Sequence, residues 1–266
     1  MPLPVPSPET TALVTGASSG IGADLARELA ARGHGVVLVA RRLDRLQALA
    51  EELTAAHGIR AEAIACDLED PKARDALPAK IEKLGLTVDI LVNNAGFGTS
   101  GRFDKLDGAR EASMVRLNCE AVVALSSAYA PQFVERGSGA ILIVASSAGM
   151  QPIPKQATYA ASKAFAHTFG ESLHAELKPY GVSVTSLCPG PVATEFAETA
   201  GLEDMFDSVP GFAQVTSPEC AAAAIEGLAD NRRVVVPGIF TKAMTLSGRH
   251  TPRAILLPTL RRFYPA

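Results

Sequence analysis

The stretch T-G-A-S-S-G-I-G at residues 15–22 decides the fold class of this chain. It follows the short β-prone run T-A-L-V at 11–14 and leads into an amphipathic stretch at 23–31. This order predicts a strand, a glycine turn and a helix. Strand-like and helix-like stretches then alternate along the 266 residues without a break in composition or a long linker. We therefore expect one α/β domain with a parallel sheet.

The three glycines of the turn, Gly16, Gly20 and Gly22, suit a site where the backbone approaches a ligand. The helix that follows offers free N–H groups and a positive dipole end to a pyrophosphate. The spacing G-x3-G-x-G differs from the G-x-G-x-x-G fingerprint, and no Gly-Lys-Ser/Thr of a Walker loop follows it. The alternative is a glycine-rich turn that binds nothing.

The bulk composition excludes several classes of protein. The net charge of −3 and the pI of about 6.0 give no electrostatic reason to bind nucleic acid. Apolar residues make up 47% of the chain, but they form no run that could cross a bilayer and no secretory signal. The four cysteines, Cys66, Cys119, Cys188 and Cys220, lie far apart, which predicts free thiols rather than a zinc site. We expect a soluble, cytoplasmic protein without a bound metal.

Tyr159 and Lys163 lie four residues apart in the run Y-A-A-S-K, a spacing that places both side chains on one face of a helix. A nearby ammonium favours the phenolate and is expected to lower the pKa of the tyrosine, which makes the phenol a proton donor for ketone reduction. The pair alone is weak evidence, because any long helix carries it by chance.

Five motifs in order strengthen that interpretation: T-G-A-S-S-G-I-G, N-N-A-G at 93–96, Ser146, Y-A-A-S-K, and P-G-P-V-A-T at 189–194. Together they resemble the short-chain dehydrogenase/reductase family over residues 10–236. The resemblance implies a Rossmann-type doubly wound parallel sheet with helices on both faces, within a domain that we place at 11–236. It also implies a homodimer or homotetramer.

The same resemblance implies four catalytic residues, Asn118, Ser146, Tyr159 and Lys163. Ser146 follows the strand-like run at 140–145 and precedes Tyr159 by thirteen residues. A serine hydroxyl there would stabilise the oxygen of a carbonyl substrate. Asn118 lies inside a predicted helix at about 108–136, where its family role is to hold a water near Lys163. Its alternative role is a local helix irregularity satisfied by the amide.

The second strand, 36–39, ends in Ala40-Arg41-Arg42 without an acidic residue. An acid at this place binds the ribose of NAD, whereas arginine accommodates a 2′-phosphate, so we expect NADP(H). The alternative is that both arginines are solvated. By resemblance Asp67 and Leu68 lie beside the adenine, although Asp67 would equally cap a turn. The residues expected to bind the cofactor are Gly16, Ser18, Ser19, Gly20, Ile21, Gly22, Arg41, Arg42, Asp67, Leu68, Asn94, Ala95, Gly96, Tyr159, Lys163, Pro189, Gly190, Val192 and Thr194.

The segment 195–216 carries apolar residues that suit a lid, and the family resemblance implies that it covers the substrate; the alternative is ordinary core packing. With Phe97, Met150 and Ile153 nearby, it suggests a lipophilic ketone or aldehyde, including a β-ketoacyl compound. The apolar residues of this segment are Phe196, Leu202, Met205, Phe206, Val209 and Phe212.

The two ends of the chain lie outside the main motifs. Residues 1–10 are proline-rich and are expected to be extended and solvated. Residues 237–266 are basic and apolar, with prolines that are expected to limit any helix. They resemble more weakly the tails of actinobacterial reductases of long-chain β-keto lipids. This tail is expected to pack on the domain or a subunit partner, or alternatively to rest on a membrane surface.

Two functions follow from this sequence. The first is an NADPH-dependent reductase of a small carbonyl compound, with Tyr159 as general acid. The second is a dinucleotide-binding sensor or scaffold that keeps the fold without turnover. The complete set of four catalytic positions favours the enzyme.

Overall fold

The computed structural model describes residues 3–202, 211 and 214–263. The strands are β1 (Thr10–Thr15), β2 (Gly35–Ala40), β3 (Ala61–Ala65), β4 (Thr87–Asn93), β5 (Gly139–Val144), β6 (Val182–Leu187) and β7 (Val234–Val235). The helices are α1 (Gly20–Ala31), α2 (Leu43–His57), α3 (Pro71–Asp75), α4 (Leu77–Lys83), α5 (Gly108–Val115), α6 (Ala121–Arg136), α7 (Ala157–Leu177), α8 (Glu195–Ala200), α9 (Ser217–Ala229), α10 (Ile239–His250) and α11 (Arg253–Phe263).

The strands form a seven-stranded parallel sheet in the order β3-β2-β1-β4-β5-β6-β7. Helices cover both faces of the sheet, so the central strands are buried on both sides. This is why these strands carry continuous apolar runs. One apolar core includes Leu25 and Ile225, and the other includes Phe133 and Leu77. The prediction of a doubly wound α/β fold is confirmed.

The strand order reverses between β1 and β4, which are adjacent in the sheet. In doubly wound sheets the loops at the carboxyl ends of the strands separate at this point and leave a crevice. The glycine turn after β1 and the N-N-A-G motif at the end of β4 both lie there. The topology therefore brings two distant motifs to one edge of the sheet.

The long helix predicted at 108–136 is present but interrupted. A π-helical turn at Arg116–Glu120 separates α5 from α6 and contains Asn118. Such turns insert an extra residue into a helix and often occur at functional sites. The sequence alternative of a local helix irregularity at Asn118 is thus observed.

The ends of the chain depart from two expectations. Leu3 is half-buried and packs against the core, so the proline-rich terminus is not wholly solvated. The tail forms α10 and α11, and Pro258 lies inside α11 rather than ending it. A proline removes one helical hydrogen bond, which leaves the carbonyl of Ala254 without its donor. Ala254 is exposed, and water can satisfy that carbonyl.

Three further expectations concern the cysteines, membrane-spanning helices and metal sites. All four cysteines are free; Cys66, Cys188 and Cys220 are buried, and Cys119 is half-buried. No helix among residues 3–202 and 214–263 is long and apolar enough to cross a membrane. Over the same ranges, no group of His, Cys, Asp and Glu is arranged to hold a metal ion.

Candidate active site

The turn between β1 and α1 requires glycine at its closest approaches. Gly16 and Gly20 have φ of +65° and +54°, a region that favours glycine. A Cβ on Gly22 would lie 2.3 Å from the carbonyl oxygen of Gly16, and one on Gly16 would lie 2.8 Å from the Cα of Ala95. The backbone of the turn thus lies directly against the end of β4.

Hydrogen bonds fix the same contact. The Asn94 side-chain amide donates to the carbonyl oxygens of Thr15 and Gly16 at 2.9 and 3.2 Å. The Thr15 hydroxyl accepts the backbone N–H groups of Asn94 and Ala95 at 2.9 and 3.1 Å. The asparagine predicted to tie down the strand end therefore also holds the glycine turn in place.

At one end of the crevice, Arg42 contacts the turn. Its guanidinium donates to the hydroxyls of Ser18 and Ser19 at 3.0 and 2.9 Å and to the carboxylate of Glu195 at 3.0 Å. Arg45 also pairs with Glu195. Together the two arginines lower the pKa of the Glu195 carboxyl to about 2, with Arg45 the larger cause. No motif or spacing in the sequence points to Arg45 or to this pairing.

Asp67 and Leu68 follow β3 at the same end. Asp67 Oδ1 accepts the backbone N–H of Glu69 at 3.0 Å, so the alternative of a turn cap is observed. Both residues also line the crevice, so the turn cap does not separate Asp67 from the expected adenine site.

At the other end, Ser146 follows β5 and its hydroxyl accepts the N–H of Ala148 at 3.1 Å. Tyr159 and Lys163 lie on α7, both buried, with the Lys163 ammonium 6.0 Å from the centroid of the tyrosine ring. That ammonium donates to the carbonyl oxygen of Val144 at 2.8 Å. The two α7 side chains share one face of the helix, as predicted.

Burial dominates the titration of this pair. It raises the pKa of Tyr159 to about 12, opposed by a hydrogen bond with Ser146. The expectation of a lowered tyrosine pKa is therefore wrong, because burial has the larger effect on this phenol. Burial also lowers the pKa of Lys163 to about 8, because an ammonium is costly to desolvate. Lys163 is thus the group of this pair that titrates near neutral pH.

Asn118 lies behind the reacting centre rather than on the crevice surface. Its side-chain oxygen accepts the N–H of Phe97 at 3.2 Å, and its amide nitrogen donates to the Phe97 carbonyl and to the Ser162 hydroxyl, each at 3.0 Å. A Cβ on Gly96 would lie 2.8 Å from the Asn118 oxygen and 3.4 Å from the Lys163 ammonium. Asn118 therefore positions the backbone after β4 beside Lys163.

The P-G-P-V-A-T motif follows β6 and closes the third side. The carbonyl oxygen of Pro189 accepts the N–H of Ser147 at 2.8 Å, which links this loop to the one after β5. Thr194 caps α8 by accepting the N–H of Phe196 at 3.3 Å. A Cβ on Gly190 would lie 2.3 Å from the hydroxyl of Thr241, so α10 packs directly on the motif.

These elements surround one cavity of about 590 Å³. It is lined by every residue predicted to bind the cofactor and by Ser146, whereas Asn118 lies outside the lining. Phe97, Ile153, Phe196 and Leu202 also line it, but Met150 packs against the core instead. Met205, Phe206, Val209 and Phe212 of the predicted lid lie outside the described residues. Lining residues that the sequence did not reveal include Gln151, Gln156, Glu195, Thr199, Phe240, Met244 and Thr245.

Comparison with known proteins assigns the family. The sequence profile of the short chain dehydrogenase family matches residues 10–204. The chain belongs to the short-chain dehydrogenase family. It is therefore an oxidoreductase by family, and the predicted family membership is confirmed.

Relatives of this dehydrogenase are varied. An uncharacterized oxidoreductase of Myxococcus xanthus is 42% identical over 192 residues, which cover 71% of this chain and 74% of the relative. A very-long-chain 3-oxoacyl-CoA reductase of Anas platyrhynchos is 36% identical over 220 residues, which cover 80% and 67%. The match covers 61% of the corresponding enzyme of Bos taurus.

Solved dehydrogenases share the whole fold. A short-chain dehydrogenase from Sphingobium yanoikuyae in complex with NADPH is 34% identical, with a TM-score of 0.81 over 97% of this chain and 98% of that one. An L-sorbose reductase from Gluconobacter frateurii in complex with NADPH and L-sorbose is 26% identical, with a TM-score of 0.77 over 90% and 99%. The similarity to the first structure covers nearly the whole of both chains.

Proposed function

We propose that this protein reduces a lipophilic ketone or aldehyde to an alcohol with NADPH. The observation that carries the proposal is the position of Ser146, Tyr159 and Lys163 on the cavity that the glycine turn also lines. A dinucleotide bound on the turn would extend along the crevice to these three side chains. The relatives that contain NADPH support the same cofactor here.

The crevice residues fit a phosphorylated dinucleotide. The glycine turn places the N-terminus of α1 on the cavity, where the positive end of the helix dipole would favour a ligand's pyrophosphate. Arg41 and Arg42 follow β2 and line the cavity, so their guanidiniums lie where a 2′-phosphate would bind, and Arg42 pairs there with Glu195. The arginines and the N-terminus of α1 give this part of the cavity positive charge, which favours binding of an anion.

Three side chains would take part in the reduction, and each has a different role. When bound, a reduced nicotinamide supplies a hydride to the carbonyl carbon. The Tyr159 hydroxyl donates its proton to the carbonyl oxygen, and the Ser146 hydroxyl stabilises the charge that develops there. The Lys163 ammonium lies on the same side and holds positive charge near the tyrosine, which favours transfer of the phenolic proton.

The substrate side of the cavity supports an apolar compound. The ring of Phe196 packs against that of Tyr159 at an interplanar angle of 43°, with centroids 5.4 Å apart. Phe97, Ile153 and Leu202 also line the cavity. Such walls favour a hydrocarbon next to the reacting carbonyl. The relatives that are named 3-oxoacyl-CoA reductases support β-ketoacyl thioesters as the first compounds to test.

The test is a screen of ketones, aldehydes and β-ketoacyl thioesters that follows NADPH absorbance. Tyr159→Phe should lose about 10²–10⁴-fold in kcat and still bind NADPH. Tyr180→Phe, at a tyrosine that is 56% exposed, is the matched control and should keep wild-type rates. Full activity in Tyr159→Phe would overturn the mechanism. NADPH binding without turnover of any carbonyl would favour the sensor or scaffold.

We also propose a cytoplasmic homo-oligomer in which the C-terminal helices take part in the subunit contact. Ile239, Met244, Leu246, Ile255 and Leu257 are exposed on α10 and α11, a concentration of apolar surface that favours an interface. Deletion of 245–266 should reduce the oligomer size in light scattering. Unchanged size with loss of binding to anionic liposomes would favour the membrane alternative.

A further inference from the structure

Glu195 brings a negative charge to the arginine that the proposed function reserves for a phosphate. Its carboxylate lies 3.0 Å from Arg42 Nη1 and also pairs with Arg45, 150 residues away in sequence. Arg42 meanwhile contacts Ser18 and Ser19 on the glycine turn. Glu195 therefore reaches the glycine-turn side of the crevice from the P-G-P-V-A-T side.

The carboxylate and a 2′-phosphate require the same partner. Both are anions, and both bind a guanidinium through charge-assisted hydrogen bonds. The Glu195 pairs are exposed, with side chains of Arg42, Arg45 and Glu195 each more than 40% accessible. Exposed ion pairs of this kind are weak, so a phosphate with a larger charge can displace the carboxylate.

Glu195 also begins the helix that touches the reacting tyrosine. The next residue, Phe196, packs against the ring of Tyr159, and a Cβ on Gly98 would lie 2.8 Å from Phe196 Cζ. The first turn of α8 is thus attached to both ends of the crevice. Glu195 attaches it to Arg42 and Arg45 beside the glycine turn, and Phe196 attaches it to Tyr159. Displacement of Glu195 releases the first of these two attachments.

We propose that Glu195 is an internal competitor of the cofactor's 2′-phosphate for Arg42, so that it weakens NADPH binding and narrows the preference for NADPH over NADH. The proposal rests on the proposed function, because it assumes that NADPH binds in this crevice. NADH has no 2′-phosphate and does not compete with the carboxylate. A nearby acid can instead accept hydrogen bonds from its ribose hydroxyls.

The experiment measures dissociation constants of NADPH, NADH, 2′,5′-ADP and 5′-AMP for wild type, Glu195→Gln and Glu198→Gln. Glu198 is the matched control, because it is an exposed glutamate on the same helix. Glu195→Gln should tighten NADPH and 2′,5′-ADP by about two- to tenfold without tightening NADH or 5′-AMP. Glu198→Gln should leave all four constants unchanged.

Several outcomes would overturn the proposal. Unchanged or weaker NADPH binding in Glu195→Gln would show that the carboxylate does not compete. Equal tightening of all four ligands, or the same effect in Glu198→Gln, would indicate a general loss of negative charge. If wild type binds neither NADPH nor 2′,5′-ADP, the proposed function fails as well. If wild type binds both and Glu195→Gln shows no selective gain, only the role of Glu195 fails.

Discussion

The floor and the rim of the crevice are built by different forces. The floor is the contact of the turn at 15–22 with the end of β4, where backbone atoms approach so closely that a methyl group at Gly22 has no space. The rim consists of Arg42, Arg45 and Glu195, which are exposed and joined only by ion pairs. Packing and the hydrogen bonds of Asn94 and Thr15 fix the floor, whereas charges at the rim can exchange partners with a ligand.

The largest expected effect breaks the floor. Gly22→Ala places a Cβ 2.3 Å from the Gly16 carbonyl oxygen, so the turn or the helix must shift. We expect a loss of about 1–3 kcal/mol in the free energy of unfolding and severe loss of NADPH binding. Urea unfolding and NADPH titration measure both.

Gly108→Ala is the control for that substitution. Gly108 begins α5, and a Cβ there would meet no heavy atom within 4 Å. It should match or slightly exceed wild-type stability, because alanine is the better helix former. Equal stability of the Gly22 and Gly108 variants would show that the floor is not set by steric contact.

The next largest effect is the pH dependence of stability that comes from Asp89, a buried carboxyl group away from the crevice. Burial raises the pKa of Asp89 on β4 to about 6, against the lowering influence of Thr10 and Arg136. Between pH 3.8 and 6 the folded protein holds a proton that the unfolded chain has released, so stability falls as pH rises. The advantage of Asp89→Asn over wild type should grow through this window to about 1–3 kcal/mol and stay constant above it.

Chemical unfolding at several pH values checks the prediction for Asp89. Asp75→Asn is the control, because that carboxylate is exposed. A constant advantage of Asp89→Asn from pH 4 to pH 8 would contradict the raised pKa.

The titration of Lys163 should appear in kinetics. Its pKa of about 8 means that it loses its charge as pH rises through 8, while Tyr159, at about 12, remains protonated. For carbonyl reduction, kcat/KM for NADPH reports the free enzyme and should fall by up to tenfold per pH unit above 8. A profile that stays flat to pH 9.5 would contradict this assignment.

The smallest expected effect tests the rim. Glu195→Gln should change the free energy of unfolding by less than about 1 kcal/mol, because exposed ion pairs contribute little to stability. The same variant is expected to alter NADPH affinity selectively. A large loss of stability would mean that the rim holds the fold, which would remove the distinction between the two regions.

The sequence predicted the floor well because short-range rules determine it. A strand, a glycine turn and a helix leave few arrangements for Gly16, Gly20 and Gly22, and the spacing of Tyr159 and Lys163 fixes their common helix face. The sequence did not predict the pairing of Arg45 with Glu195, which depends on where two distant loops meet. It also missed the direction of the tyrosine pKa shift, because spacing reveals the cation but not the desolvation.

The structural setting of two further residues also differs from what the sequence predicts. Pro258 was expected to limit any helix in the tail, yet α11 continues through it because its backbone there faces solvent. Met150 is expected on the substrate side, but it is half-buried and packs against the core instead. Met150 ends a short 3-10 helix at Ser147–Met150, and the direction of a side chain on so short an element depends on its backbone path, which no sequence period reports.

The π turn at Arg116–Glu120 makes the length of the helical segment between β4 and β5 critical. One residue turns an α-helix by about 100°, so removal of a single residue there would regularise the helix and rotate everything before it relative to α6. Asn118 would then leave both its bonds to Phe97. Most surface loops tolerate a one-residue deletion. Here it would remove the hydrogen bonds by which Asn118 holds the backbone of Phe97 beside Lys163.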